Sequence, residues 1–95
     1  MNITDFIPVG RQNAVTREKL RKLTGLNDRQ IREMISQARR KTPIISLDNK
    51  GYFIPSEDEK ADVEKWIKQE EHRAKSIFWS MAGAKKFIKG GNINA

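Results

Sequence analysis

The turn Thr24-Gly25-Leu26-Asn27 constrains this chain more than any other segment, because it divides what would be one helix into two short ones. Thr16 has the hydroxyl of a helix N-cap, and the helix it opens is expected to run to about Thr24 with Leu20 and Leu23 inward. Gly25 suits the left-handed position that closes many helices, and Leu26 would plug the core from within the turn. Asn27, with Gln30 three residues on, has the form of a capping box. The second helix is expected to reach about Lys41, where Thr42-Pro43 stops it, since the residue before a proline is disfavoured in the helical region.

Periodicity orients that second helix. Ile31, Ile35 and Ala38 form one apolar stripe at 3.6-residue spacing. Arg29, Glu33, Ser36 and Arg40 then point most directly away from it, flanked by Gln30, Arg32 and Gln37. Cationic and amide side chains on one outward face are the types that hydrogen-bond guanine and adenine edges in a major groove. Every surface helix has a polar face. A tight turn and a second basic helix in front of this one favour a DNA-reading role.

Two short β-type runs follow, Pro43 to Leu47 and Gly51 to Ile54, joined by Asp48-Asn49-Lys50-Gly51, which has hairpin-turn chemistry. Lys50 sits near the tip, either as a phosphate or minor-groove contact or as an ordinary exposed turn lysine. Before the helices, Ile3, Phe6 and Ile7 fit one face of a single helical turn limited by Pro8, Gly10 to Asn13 reads as a loop, and Ala14-Val15 reads as a two-residue strand. After the hairpin, Ser56-Glu57-Asp58-Glu59 is a capping box with acids in the first turn, where the helix dipole favours them. A long helix is expected from there to about Lys89, ended by Gly90-Gly91, with a frayed tail from Asn92 to Ala95. Val63, Trp66, Ile67, Ala74, Ile77, Phe78, Met81 and Ile88 fit its inward stripe, and Trp79 and Phe87 fall outside it. A helix apolar on more than one side calls for partners. Trp66, Ile77, Phe78, Trp79, Met81 and Phe87 are therefore the expected dimerisation surface, unless the helix folds back onto the first segment and Leu20.

Charge is segregated. The net +7 resolves into +6 over residues 16–41, −4 over residues 42–72 and +5 over residues 73–95. Two basic blocks around an acidic one favour a polyanionic partner, and solubility alone would not need such segregation. The absence of cysteine excludes disulfides and thiolate metal sites. Neither a membrane-spanning run nor a signal-peptide pattern is present, so a cytoplasmic, nucleoid-associated protein is the expectation.

The stretch Ala14–Ile54 resembles the winged helix-turn-helix domains at the N-termini of biotin-operon and sugar-operon repressors. The likeness rests on Val15-Thr16, Glu18-Lys19-Leu20, Thr24-Gly25-Leu26-Asn27, Arg29-Gln30-Ile31-Arg32-Glu33-Met34-Ile35, Pro43-Ile44 and Gly51-Tyr52-Phe53-Ile54, in that order. The whole chain also resembles small prophage-encoded winged-helix proteins of Gram-positive bacteria, through Ile7-Pro8-Val9-Gly10-Arg11-Gln12-Asn13-Ala14 and Arg73-Ala74-Lys75-Ser76-Ile77-Phe78-Trp79. The resemblance implies a mainly α fold with a small β-hairpin wing. Residues 1–55 would be the DNA-binding winged helix-turn-helix. Residues 56–91 would form a C-terminal amphipathic helix for packing and dimerisation in the same compact unit. The helix from Asn27 to Lys41 would be the recognition helix and Asp48–Lys50 the wing tip. The first helix is shorter than in the repressors and no effector domain follows, so no small-molecule effector is indicated.

The expected function is sequence-specific binding of double-stranded DNA, as a phage or prophage transcription regulator working as a homodimer. Arg29, Gln30, Glu33, Ser36 and Gln37 would read bases. Arg17, Arg21, Lys22, Arg32, Arg40, Lys41 and Lys50 would hold the backbone. The alternatives are an architectural DNA-binding factor in phage excision or replication, or a winged-helix protein–protein module. Catalysis has little support. His72 is the only histidine and stands among charged residues, Glu57, Asp58, Glu59 and Asp62 are explained by a helix start, and no phosphate-binding or nucleophile motif occurs. No cofactor or metal is expected.

Overall fold

The computed structural model describes residues 1–48 and 50–90. Asn49 of the expected hairpin turn, Gly91 of the expected helix stop and the expected frayed tail lie outside the described residues. Four helices and two short strands are present among them: α1 (Arg17–Thr24), α2 (Asp28–Ala38), β1 (Ile45–Ser46), β2 (Tyr52–Phe53), α3 (Lys60–Ser80) and α4 (Ala82–Ile88). Single 3₁₀ turns cover Ile3–Phe6, Arg11–Asn13 and Glu57–Glu59. The chain is thus mainly helical, with a two-stranded antiparallel sheet and a long C-terminal helical arm.

The α1–α2 junction is held by its own polar groups. Thr16 Oγ1 accepts from the Lys19 N–H at 3.1 Å. Gly25 takes φ 73° and donates its N–H to the Arg21 carbonyl at 2.8 Å, closing α1 in the left-handed conformation. Asn27 and Gln30 exchange side-chain acceptors for backbone N–H groups at 2.8 and 3.0 Å, completing the capping box. The Thr24 hydroxyl donates to the Leu20 carbonyl and accepts from the Leu26 N–H, which turns Leu26 back toward the core.

α2 stops at Ala38, three residues before the expected Lys41. The Arg40, Lys41 and Thr42 N–H groups bond back to Gln37 and Ala38 in tight turns, so the chain is already leaving the helix before Pro43 obliges it to. Leu20, Ile31 and Ile35 are buried as expected. Leu23 is not inward: it is 52% exposed, because α1 is only two turns long and Leu20 alone reaches the core.

The core has two halves divided by the hairpin. Ile3, Ile7, Val15, Leu20, Ile31, Ile35 and Ile44 form one cluster. Ile45, Leu47 and Phe53 form the other, with Ala14, Val63 and Trp66 packed against it. Ile44 and Ile45 part to opposite sides because successive strand side chains alternate. The pairing Ile45↔Phe53 faces α3, and Ser46↔Tyr52 lies on the other face.

The N-terminal segment covers the free edge of β2. Tyr52 and Val15 exchange two backbone hydrogen bonds at 2.8 and 2.9 Å, and Ile54 bonds to Pro8 and Gly10 in a parallel bridge. Of the expected Ala14-Val15 strand, only Val15 makes a bridge. Arg11 then ties three elements together. Its N–H donates to Glu59 at 2.9 Å, and its guanidinium reaches Asp62 at 3.4 Å and Asp48 at 3.8 Å. Glu59 also accepts from the Ser56 N–H at 3.0 Å.

The C-terminal arm is long and helical, as expected. Of its inward stripe, only Val63 and Trp66 reach the core. Ile67, Ile77, Phe78, Met81 and Ile88 are exposed, and the arm does not fold back onto the first segment. It breaks at Met81, where the backbone leaves ideal helical angles before resuming as α4. The longest dimension of the molecule is 54 Å as a result. Among the described residues no helix is long and apolar enough to cross a membrane.

Gly51 stands at φ 116°, and a Cβ there would lie 2.6 Å from the Val15 carbonyl oxygen. Gly51→Ala is expected to cost about 2 kcal/mol or more, from backbone strain together with a backbone clash, read as a lowered Tm in thermal melts. Glu59 supplies a pH prediction. Its bonds from the Ser56 and Arg11 N–H groups hold its carboxyl below the usual glutamate range. The unfolded chain therefore takes up the proton first, so the stabilisation is complete above the ordinary glutamate value and is lost as pH falls through the lowered one. Melts between about pH 3 and pH 7 should show a smaller acid-side loss of Tm in Glu59→Gln than in the parent chain.

Candidate nucleic-acid interface

The expected base-reading residues all lie on the exposed side of α2. Arg29, Gln30, Glu33, Ser36 and Gln37 are exposed, as they must be on a helix whose opposite face carries the buried Ile31 and Ile35. Gln30 is partly committed, since its Oε1 accepts the Asn27 N–H of the cap. Among the described residues, no ion pair engages Arg29, Arg32, Glu33, Arg40 or Lys41. Among the described residues, then, no ion pair neutralises these charges. Arg40 and Lys41 lie in the turn beyond α2 rather than on the helix, exposed at its C-terminal end.

The expected backbone contacts divide into groups. Arg17 and Arg21 of α1 both approach Asp28 at the start of α2, at 4.0 and 3.8 Å, which sets these two arginines beside the N-terminal end of α2. All three partners are about half exposed, so these pairs orient the side chains more than they stabilise the fold. Lys22 pairs with Glu18 one turn back at 3.7 Å on the outer side of α1. Lys50 is exposed near the hairpin tip, its N–H bonded to the Leu47 carbonyl at 3.1 Å.

Between α2, the hairpin and α3 runs an open groove of about 480 Å³. Arg17 of α1, Arg32 of α2 and Arg39 just after it, Ser46, Asp48 and Tyr52 of the hairpin, and Trp66, Gln69, Glu70 and Arg73 of α3 line it. Of its four arginines, Arg17 and Arg32 were expected in an interface and Arg39 and Arg73 were not. Glu70 pairs with Arg73 at 3.5 Å. The four arginines outnumber the two acids, Asp48 and Glu70, so the groove carries net positive charge, and α1, α2, the hairpin and α3 all contribute to it.

Arg39 organises this groove. Its guanidinium lies 4.8 Å from the Trp66 ring centroid and 6.0 Å from that of Tyr52, within reach of both π faces. Its Nε–H donates to the Ile44 carbonyl at 2.8 Å. Burial lowers its pKa, opposed by Tyr52 and Glu70 and reinforced by Arg73. Its position four residues after Ile35, on the edge of the apolar stripe, is the sequence signal that distinguishes it from the outward Arg40.

Trp66, expected on the dimerisation surface, is half-buried between Arg39 and the Ile45–Phe53 cluster. Ile77, Phe78, Trp79, Met81 and Phe87 remain exposed, Trp79 at 71% and Phe87 at 68%. Among the described residues, no group of three His, Cys, Asp or Glu side chains is placed to hold a metal ion.

Arg39→Ala should lower stability by about 2 kcal/mol, through a charged hydrogen bond and two ring contacts, and thermal unfolding would measure it. Arg39→Lys should recover only part of the loss, because an ammonium lacks the planar fork that stacks and donates together. Comparison of the chain with protein-family models, with curated proteins and with solved structures returned no match.

Proposed function

We propose that this protein is a sequence-specific double-stranded DNA-binding protein of the winged helix-turn-helix type, serving a phage or prophage as a transcription regulator. The observation that carries the reading is the outward face of α2. It presents Arg29, Arg32, Glu33, Ser36 and Gln37 free of ion pairs among the described residues, directly after a capped tight turn. In this reading α2 enters the major groove, and Arg29 with the neighbouring Gln30, Glu33, Ser36 and Gln37 meets base edges. Arg17, Arg21 and Lys22 of α1 and Arg32, Arg40 and Lys41 around α2 take phosphates. The hairpin tip, with Lys50, reaches the adjacent backbone or minor groove.

Supporting features are the +6 net charge of residues 16–41 and the convergence of Arg17 and Arg21 beside the start of α2. Electrostatic attraction of this kind supplies affinity for any duplex, and base contacts then set the preference among sequences.

Fluorescence anisotropy on duplex from the gene's own upstream region and on random duplex, across a salt series, tests the reading. Sequence-specific autoregulation is expected to appear as upstream binding about a thousandfold tighter than random binding. Equal, steeply salt-dependent binding to both would replace regulation with an architectural role. No binding to either at low salt would remove the DNA reading. Arg29→Ala should cost about 1–3 kcal/mol at the preferred site and relax specificity there. Lys22→Ala should weaken all duplexes alike and reduce the salt slope by roughly one.

A further inference from the structure

Two open hollows meet on one face of the hairpin. The groove that Arg32, Arg39 and Arg73 line shares Arg17, Ser46 and Tyr52 with a second hollow of about 490 Å³ beside α1, which Arg21 also lines. Ser46 and Tyr52 are cross-strand partners, so one face of the hairpin is common to both. Together the hollows make a single trough that receives arginines from α1, from α2 and the turn after it, and from α3.

The acids of the trough already have partners. Glu18 pairs with Lys22, Asp28 with Arg17 and Arg21, Asp48 with Arg11, and Glu70 with Arg73. Among the described residues no ion pair engages Arg32 or Arg39. Arg39 is also held in place, by the Ile44 carbonyl and the Tyr52 and Trp66 rings. At about 100° per residue, Arg32 and Arg39 fall within roughly 20° of each other, on one flank of α2 and roughly 100° or more from Glu33. An α-helix just fills a major groove about 12 Å wide, so its flanks face the phosphates of the two strands. On α3, Trp66, Gln69, Glu70 and Arg73 line the trough. Lys68, Glu71 and Lys75 fall roughly 140–180° from Trp66, on the far side of that helix.

We propose that one phosphodiester strand of the bound duplex runs along this trough, with Gln69 and Arg73 of α3 as backbone contacts; the inference rests on the DNA-binding reading above. The start of the arm then belongs to the DNA interface, together with the helix-turn-helix and the hairpin. A guanidinium binds phosphate through paired N–H groups, and a glutamine amide donates to phosphate oxygen. Glu70 is the local opponent. Its pair with Arg73 is a single 3.5 Å contact, with the Arg73 side chain 69% exposed, so a phosphate can take Arg73 over at little cost. The same charge would attract an acidic protein segment. The duplex is favoured because the trough follows the flank of the helix whose outward face carries Arg29, Ser36 and Gln37, the side-chain types that meet base edges.

Anisotropy of the whole chain on random duplex, across a salt series, reads these contacts. Arg73→Gln is expected to weaken binding by about tenfold and to shallow the salt slope by roughly one, because one phosphate contact is lost. Lys75→Gln removes the same charge from the far side of α3 and is expected to keep the parent slope. Equal effects of the two variants would overturn the track and leave DNA binding standing, since a long-range field acts on both alike. Glu70→Gln, which releases Arg73, should tighten binding by about threefold, and Glu71→Gln should not. Equal tightening by these two variants would likewise overturn the track. Circular dichroism verifies that the helices persist in all four. A parent chain that binds no duplex at low salt would remove the DNA reading and the track with it. A labelled oligoglutamate peptide bound by such a chain, and released by Arg73→Gln, would assign the trough to an acidic protein segment.

Discussion

The placement of Arg39 between Tyr52 and Trp66 is the contact on which the relative positions of α2, the hairpin and the arm depend. A side chain from the turn after α2 reaches the Ile44 carbonyl, the ring of β2 and the ring of α3 together. Each contact is modest alone, but a planar cation can satisfy all three in one rotamer. Burial penalises the charge and lowers its pKa, and Tyr52 and Glu70 counter that penalty only in part. Arg39 itself keeps helical angles and donates its N–H to the Ile35 carbonyl, and the chain turns away only over Arg40 to Thr42.

Around that contact the small core is assembled economically. The hairpin is two residues long on each side, yet it divides the apolar side chains into two clusters. A two-stranded sheet of this length has little stability of its own. Here the N-terminal segment caps the free edge of β2, and α3 packs on the Ile45–Phe53 face. Arg11 and Glu59 lock these surroundings together from the far side. The outcome is a compact unit that can hold α2 rigidly, with its polar face toward solvent. That rigidity is what the proposed DNA-reading role requires of its scaffold.

Local structure was widely legible. Thr16, Gly25, Asn27 with Gln30, and the Ser56 box each act through atoms only a few residues away, so their geometry follows from residue identity and spacing. The Ile31 and Ile35 stripe, and with it the exposure of Arg29, Glu33, Ser36 and Gln37, follows from helical periodicity alone. Contacts between distant segments were not legible. Nothing local in Arg11 announces ion pairs with Asp48 and Asp62, and the spacing of Arg39 from Ile35 puts it at the edge of the apolar stripe without naming Tyr52 and Trp66 as its partners. Leu23 was misplaced for the same reason: periodicity gives which side chains share a face, and says nothing of whether another element covers that face.

The sequence by itself determined the helix starts, the turn between α1 and α2, the separation of charge into blocks and the polar character of the α2 face. These are set by propensity, capping and spacing within a few turns of chain. Only the tertiary structure decided which arginines share a groove, where α2 ends, and that the apolar arm projects uncovered beyond Trp66. Those outcomes depend on the directions in which α2, the hairpin and α3 meet, and such directions are fixed by packing between residues far apart in the chain.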